Sequence, residues 1–266
     1  GNALIGFLVY QGKLALDQGD LLPEWRQPGD PRRAITLSQM LRMCDGLQFS
    51  EKYTDPLSDA TTMLFQRQDA AAYAAQRPLK ASPGSTFHYS SGTSVLLCRI
   101  LRGAIGGSLT DYWLFPQQAL FAPLGMTSAI LEPDAVGTLV GSSYLYATAR
   151  DWAKFGLLYL QDGCWQGQRI LPPGWVKYST RPNDTDPRYA AHFWRQVPSA
   201  FTPPQSAPTS AECSWPSDAY LASGYQGQFV TVIPSADLVV VRLGLTQKRH
   251  SWDHPRVIAD ILHAIG

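Results

Sequence analysis

The chain has 266 residues, 45% of them hydrophobic and 11% aromatic, which suits one large domain or a compact domain with a lobe. Its 22 Lys and Arg stand against 21 Asp and Glu, a formal net charge of +1 with the basic residues scattered, so no nucleic-acid or anionic-membrane partner is called for. The first apolar run, residues 3–10, is shorter than the roughly 20 residues that span a bilayer, and it lacks the basic start and cleavage site of a signal peptide.

That run, Asn2 to Tyr10, is apolar almost all round and reads as a buried helix ended at Gly12. Natural N-termini are usually exposed and polar, so further sequence is expected upstream. After a connection bearing Pro23, Pro28 and Pro31, Thr36-Leu37-Ser38-Gln39 has the capping-box pattern and opens a short helix, Leu37 to Cys44. A loop with aromatic and acidic residues follows from Phe49 to Pro56. A helical segment is expected from about Asp59 to Arg77, with a break near Asp69.

The turn Ser82-Pro83-Gly84-Ser85 leads into Phe87-His88-Tyr89-Ser90-Ser91-Gly92-Thr93-Ser94, from which an apolar helix leaves, Ser94 to Ala104. Another helix is expected from Thr110-Asp111 to Leu120, then a turn over 121–126. Thr148-Ala149-Arg150-Asp151 opens an amphipathic helix, Trp152 to Leu160, and Pro172-Pro173-Gly174-Trp175 begins a short one. The period then changes. Residues 190–197 alternate as a strand, 201–216 read as a surface loop, and 220–224, 228–233 and 238–245 read as strands, the last two joined by a turn at 234–237. A final helix is expected from about Pro255 to Ala264. The order gives an α+β class.

Tyr89 with Ser90 and Ser91, on a tight loop before a buried helix, is the arrangement by which several serine hydrolases present a phenolic base; the same residues also suit a plain helix cap. No G-x-S-x-G, Walker or HExxH motif occurs. His250 and His254 have a metal-compatible spacing but flank Trp252 and Asp253 before a proline-started helix, and they read as solvated loop residues. His88 should point away from Tyr89, since neighbours on an extended segment alternate faces. Among the four cysteines, Cys44, Cys98, Cys164 and Cys213, there is no CxxC pair. Cys98 reads as a core residue, while Cys164 and Cys213 are open to a disulfide in an exported protein, with connectivity not fixed by sequence.

Residues 35–47, 83–91, 144–156 and 222–228, ITLSQMLRMCDGL, PGSTFHYSS, YLYATARDWAKFG and ASGYQGQ, together with Asp237–Val241, resemble in order and spacing the motifs of the serine β-lactamase-like hydrolases. That superfamily includes class C β-lactamases, D-alanyl-D-alanine carboxypeptidases, esterases and 6-aminohexanoate-dimer hydrolases, and the resemblance is nearest the esterase and amide-hydrolase branch. It implies a β-lactamase/transpeptidase-like fold: one domain over 1–266, with a helical lobe at about 36–150 and a sheet-forming part at about 187–266, lacking the family's N-terminal strands. It also implies acyl transfer from an ester or small amide, with no cofactor and no metal. Tyr89 would be the general base, Ser91 would hold substrate or lysine, and the backbone N–H of Tyr225 would bind the oxyanion. Gly224, Tyr146 and Trp194 would line the pocket, and the two aromatics read equally well as ordinary core residues.

Two departures stand out. Ala222 occupies the place where the third motif usually has Lys or His, which argues against the usual recognition of a β-lactam carboxylate. The residues three before each lysine are Tyr10, Phe49, Arg77, Asp151, Gly174 and Leu245, so no S-x-x-K exists for the nucleophile. The expectation is a hydrolase fragment whose Ser and Lys lie upstream of Asn2, inactive as it stands. The alternative is a non-catalytic binding or scaffold protein on the same fold. Substrate identity, oligomeric state and the choice between cytoplasm and periplasm are not readable.

Overall fold

A computed structural model describes residues 1–202 and 215–266, which divide into a first unit, residues 1–147 with 183–186, and a second, residues 148–182 with 187–266. Cys213 and most of the expected 201–216 loop lie outside the described residues.

In the first unit the apolar opening forms α1 (Asn2–Tyr10), which packs on α5, and Gly12 leaves it with φ +68°. The capping box forms as expected: Thr36 Oγ1 accepts from Gln39 N–H at 3.2 Å, and Gln39 Oε1 accepts from Thr36 N–H at 2.9 Å. It starts α2 (Leu37–Leu41), which stops before Cys44 because Met43 turns to φ +56°. The break near Asp69 separates α3 (Asp59–Gln66) from α4 (Ala70–Ala75); Asp69 caps α4 through Ala72 N–H at 2.8 Å.

Helix α5 (Ser91–Ile105) starts three residues before the expected Ser94, because Ser90 is its N-cap. Its Val95, Leu96, Leu97, Ile100 and Leu101 are buried, each stabilising by about 1.5–3 kcal/mol relative to exposure. Helix α6 (Leu109–Pro116) is capped by Ser108 and runs through a wide turn into α7 (Ala122–Leu124), so part of the expected 121–126 turn is helical. Pro123 is tolerated there because its missing N–H falls in a helix's first turn, and Gly125 ends α7 in the left-handed conformation at φ +63°. Strands β1 (Ile130–Leu131) and β2 (Leu145–Tyr146) form a short antiparallel pair.

In the second unit, α8 (Ala149–Leu160) is capped by Thr148 and followed by the short pair β3 (Cys164–Trp165) and β4 (Gln168–Arg169), then α9 (Trp175–Thr180). Strands β5 (Tyr220–Gly224), β6 (Gln228–Ile233) and β7 (Leu238–Arg242) make an antiparallel sheet in the order 5-6-7. The β5–β6 register pairs Ala222 with Val230, and the β6–β7 register pairs Val230 with Val241. Helix α8 lies on β6 and β7, and a Cβ on its Gly156 would come within 2.5 Å of Val239.

Residues 190–197 do not form the expected strand. Ala190 N–H donates to the Phe193 carbonyl at 2.8 Å across a turn in which His192 takes φ +62°, and only Trp194 bridges to the sheet, at Leu221. A second correction concerns His254, the first residue of α10 (His254–Ile265). It is fully buried rather than solvated, stacked on Phe229 at 4.0 Å. Among the described residues no helix is long and apolar enough to cross a membrane.

Candidate functional site

The loop before α5 is set by its pairing with residues 43–49. Gly84 N–H donates to the Cys44 carbonyl at 2.7 Å, Lys80 N–H to the Gly46 carbonyl at 2.8 Å, and His88 N–H to the Met43 carbonyl at 2.8 Å. Only glycine suits position 46: φ is +80° and a Cβ would lie 2.3 Å from the Ala81 carbonyl oxygen. The buried Asp45 carboxylate then accepts from Leu47 N–H at 2.9 Å and from the Thr93 hydroxyl. Burial pushes the Asp45 carboxyl above its ordinary range, against the pull of those two bonds. This buried pair ties the 43–49 segment to the first turn of α5.

On that frame the three motif residues take different tasks. Ser90 is 2% exposed, and its hydroxyl accepts from Thr93 N–H at 3.1 Å, so it is committed to capping. The His88 ring is engaged by the Phe49 carbonyl, 2.6 Å from Nε2. Ser91, 4% exposed, is gripped by a residue forty positions earlier: Glu51 Oε1 accepts from Ser91 N–H, and Glu51 Oε2 accepts from the Ser91 hydroxyl at 3.0 Å. The Tyr53 hydroxyl lies 3.0 Å from Ser91 Oγ and also bonds the Glu51 carboxylate, so the three side chains form one connected chain.

Electrostatics follow from this packing. Burial pushes the Glu51 carboxyl up, and the two bonds from Ser91 offset part of the rise. Burial also pushes the half-buried Tyr89 phenol up to about 12, and the nearby Glu51 charge adds to it. Tyr89 is therefore a neutral phenol at pH 7, and a cation placed beside it would bring its pKa down. The arrangement holds one phenol at the mouth of a buried helix, flanked by a carboxylate–hydroxyl–phenol chain.

The other expected site residues stand on other elements. Tyr146 belongs to the first unit, in β2 opposite Ile130, and is 52% exposed. Trp194, Gly224 and Tyr225 belong to the second unit. Trp194 exchanges two 2.8 Å backbone bonds with Leu221 of β5 and packs edge-on against Tyr189. Gly224 ends the same strand opposite Gln228, and Tyr225 stands 66% exposed at the tip of the β5–β6 hairpin, whose turn is made by Gln226 at φ +57° and Gly227 at φ +83°. Glu51, Tyr53, Asp45 and Thr93 were not singled out by the sequence motifs. The one signal for the first two is an acid and a tyrosine, two apart, in the aromatic and acidic loop 49–56.

The sequence profile of the Beta-lactamase family matches residues 2–264. The chain belongs to the Beta-lactamase family. Curated proteins give no match, but solved structures do. A provisionally named 6-aminohexanoate-dimer hydrolase from Bacillus anthracis is similar at a TM-score of 0.73 and 20% identity, over 99% of this chain and 68% of that one. A penicillin-binding-protein homologue from Caulobacter crescentus aligns at 0.69 and 20%, over 99% and 80%. A penicillin-binding protein from Bacillus halodurans aligns at 0.66 and 19%, over 99% and 82%. At these identities the structures establish the β-lactamase/transpeptidase-like α+β fold, while the profile establishes membership of a family of serine hydrolases that act on small molecules.

Proposed function

We propose that this Beta-lactamase family chain carries the proton-handling and substrate-facing part of a serine hydrolase that cleaves an ester or small amide through an acyl-enzyme. The observation that carries the reading is Tyr89, half-buried at the start of α5 with Ser91 fixed beside it by Glu51 and Tyr53. In this reading Tyr89 exchanges a proton with the attacking serine and the leaving group. Ser91 orients substrate or a lysine, and the Tyr225 N–H binds the oxyanion. Tyr146, Trp194 and Gly224 are the further candidates for substrate contact. Ala222 in the third motif favours ester or plain amide substrates over β-lactams.

The reading requires a Ser–Lys pair from outside these 266 residues, because no serine precedes a lysine by three positions and Ser90 is spent on its cap. With that lysine ammonium near Tyr89, the phenol would fall from about 12 toward a working range.

Fluorophosphonate labelling with mass-spectrometric mapping tests this. The 266-residue chain should give no adduct, and the whole gene product should give one on an upstream serine followed three positions later by lysine. Tyr89→Phe in that product should slow acylation by about 10²–10⁴-fold. An adduct on Ser90 or Ser91 would overturn the assignment of the nucleophile. A whole product lacking any S-x-x-K would leave a binding or scaffold protein on the same fold.

A further inference from the structure

The far end of α5 borders a cleft that the hydrolase reading does not use. It lies within the first unit, among residues 13–26, the last turns of α5 and the start of α6, and holds about 780 Å³, inside the ~300–1,000 Å³ typical of small-molecule sites. Arg102 is eleven residues beyond Ser91 on α5, about 16 Å at ~1.5 Å per residue, so the cleft is separate from the Tyr89 network.

Its charges do not cancel. Lys13, Arg26, Arg99 and Arg102 line it with Asp20 and Asp69. Asp20 is answered by Arg26 at 3.2 Å and Arg33 at 3.3 Å, and Arg99 by Glu24 at 2.8 Å and Asp69 at 3.8 Å. Among the described residues Arg102 reaches only neutral acceptors, the Val136 carbonyl at 3.2 Å and Thr138 Oγ1 at 3.3 Å, through one nitrogen. Lys13 is exposed and makes no ion pair among the described residues. Among the described residues, two cations of the cleft therefore have no counter-charge. Apolar side chains share the lining: Leu109 and Val136 are 37% and 38% exposed, the Val136 carbonyl being the one that Arg102 holds, and Ile100 and Leu22 are buried.

We propose that this cleft binds a small amphiphilic anion, with its carboxylate seated between Lys13 and Arg102 and its apolar body lying on Leu109 and Val136. The free guanidinium nitrogens of Arg102 supply the fork that a carboxylate accepts from, and Lys13 adds a mobile point charge. The apolar lining supplies the affinity that a hydrated inorganic anion does not gain.

Isothermal titration of the 266-residue chain with sodium octanoate, below its micelle concentration, tests the assignment, with inorganic phosphate and octylamine titrated in parallel. Saturable octanoate binding is expected, weakened at least tenfold by Lys13→Glu and by Arg102→Gln, weakened by added salt, and unchanged by Tyr89→Phe. Lys13→Glu reverses a charge that touches nothing, so it reads the site even where Arg102→Gln perturbs the 136–138 loop. Absence of saturation, or octanoate binding unaffected by Lys13→Glu, would overturn the proposal. Octylamine binding as tightly would show apolar adsorption, and phosphate binding as tightly would remove the role of the apolar lining; either result overturns it too.

Discussion

Glu51 helps set the proton affinity of Tyr89, because a carboxylate charge stands near a phenol in one partly desolvated corner. Burial raises both, and the carboxylate charge raises the phenol further. Glu51→Gln keeps an acceptor for Ser91 and removes the charge. The Tyr89 midpoint should then fall below about 12, with Ser91 still held. Tyrosine Cζ NMR titration, with Tyr89→Phe identifying the resonance, measures this. An unchanged midpoint would mean that desolvation alone lifts the phenol. In the whole gene product the same change should move the rising limb of the acylation rate, which follows deprotonation of the general base, to lower pH by a similar interval. The residue names Tyr89 and Ser91 were readable from their motif, but Glu51 was not. Its tie to Ser91 spans forty residues, and no local pattern marks an acid in an aromatic loop as the partner of a helix start.

At the scale of elements, the join between loop 43–49 and α5 depends on the absence of a side chain at Gly92. A Cβ there would lie 2.5 Å from Phe49 Cε2, and the Phe49 carbonyl also holds the His88 ring. Gly92→Ala should therefore destabilise by about 1–3 kcal/mol despite the better helix propensity of alanine. A lowered midpoint in urea would show it, and Phe49→Leu in the same chain should recover part of the loss, as contacting pairs do in a double-mutant cycle. If the single change is neutral, the ring is not wedged against the helix. Caps and breaks of this unit were legible because each rests on a side chain close in sequence: Thr36 with Gln39, and Asp69 with Ala72. The alternation over 190–197 misled because period alone cannot see a chain reversal, and here Ala190 and Phe193 close a turn around a left-handed His192. The pairs β1–β2 and β3–β4 are two residues per strand, too short to leave a period.

For the molecule as a whole, the order and spacing of several short motifs pointed to the fold more securely than any one of them, since a fold constrains all of them together. What stayed hidden was burial of polar groups, which depends on what packs from a distance. His254 shows the consequence. Trp252 Nε1–H donates to its Nδ1 at 3.3 Å, so the proton is on Nε2, which donates to Thr231 Oγ1 at 2.9 Å. Burial first, and the Arg242 charge second, lower its pKa to about 4. The unfolded chain, near 6.5, then binds the proton more readily than the folded one, so His254 contributes stability that is complete above about pH 6.5 and lost as pH falls toward 4, about 3 kcal/mol in full. His192, lowered to about 3 chiefly by burial, acts in the same direction, whereas Asp45 and Glu51, raised by burial, act in the opposite one. The net slope mixes these terms, so the informative quantity is a difference. Urea unfolding of the parent and of His254→Gln at pH 7.5 and pH 4.5 should show the variant losing less stability on acidification, by about 2–3 kcal/mol. Parallel losses in the two chains would mean that the imidazole is protonated in place, with Trp252 and Arg242 moving aside to admit the charge.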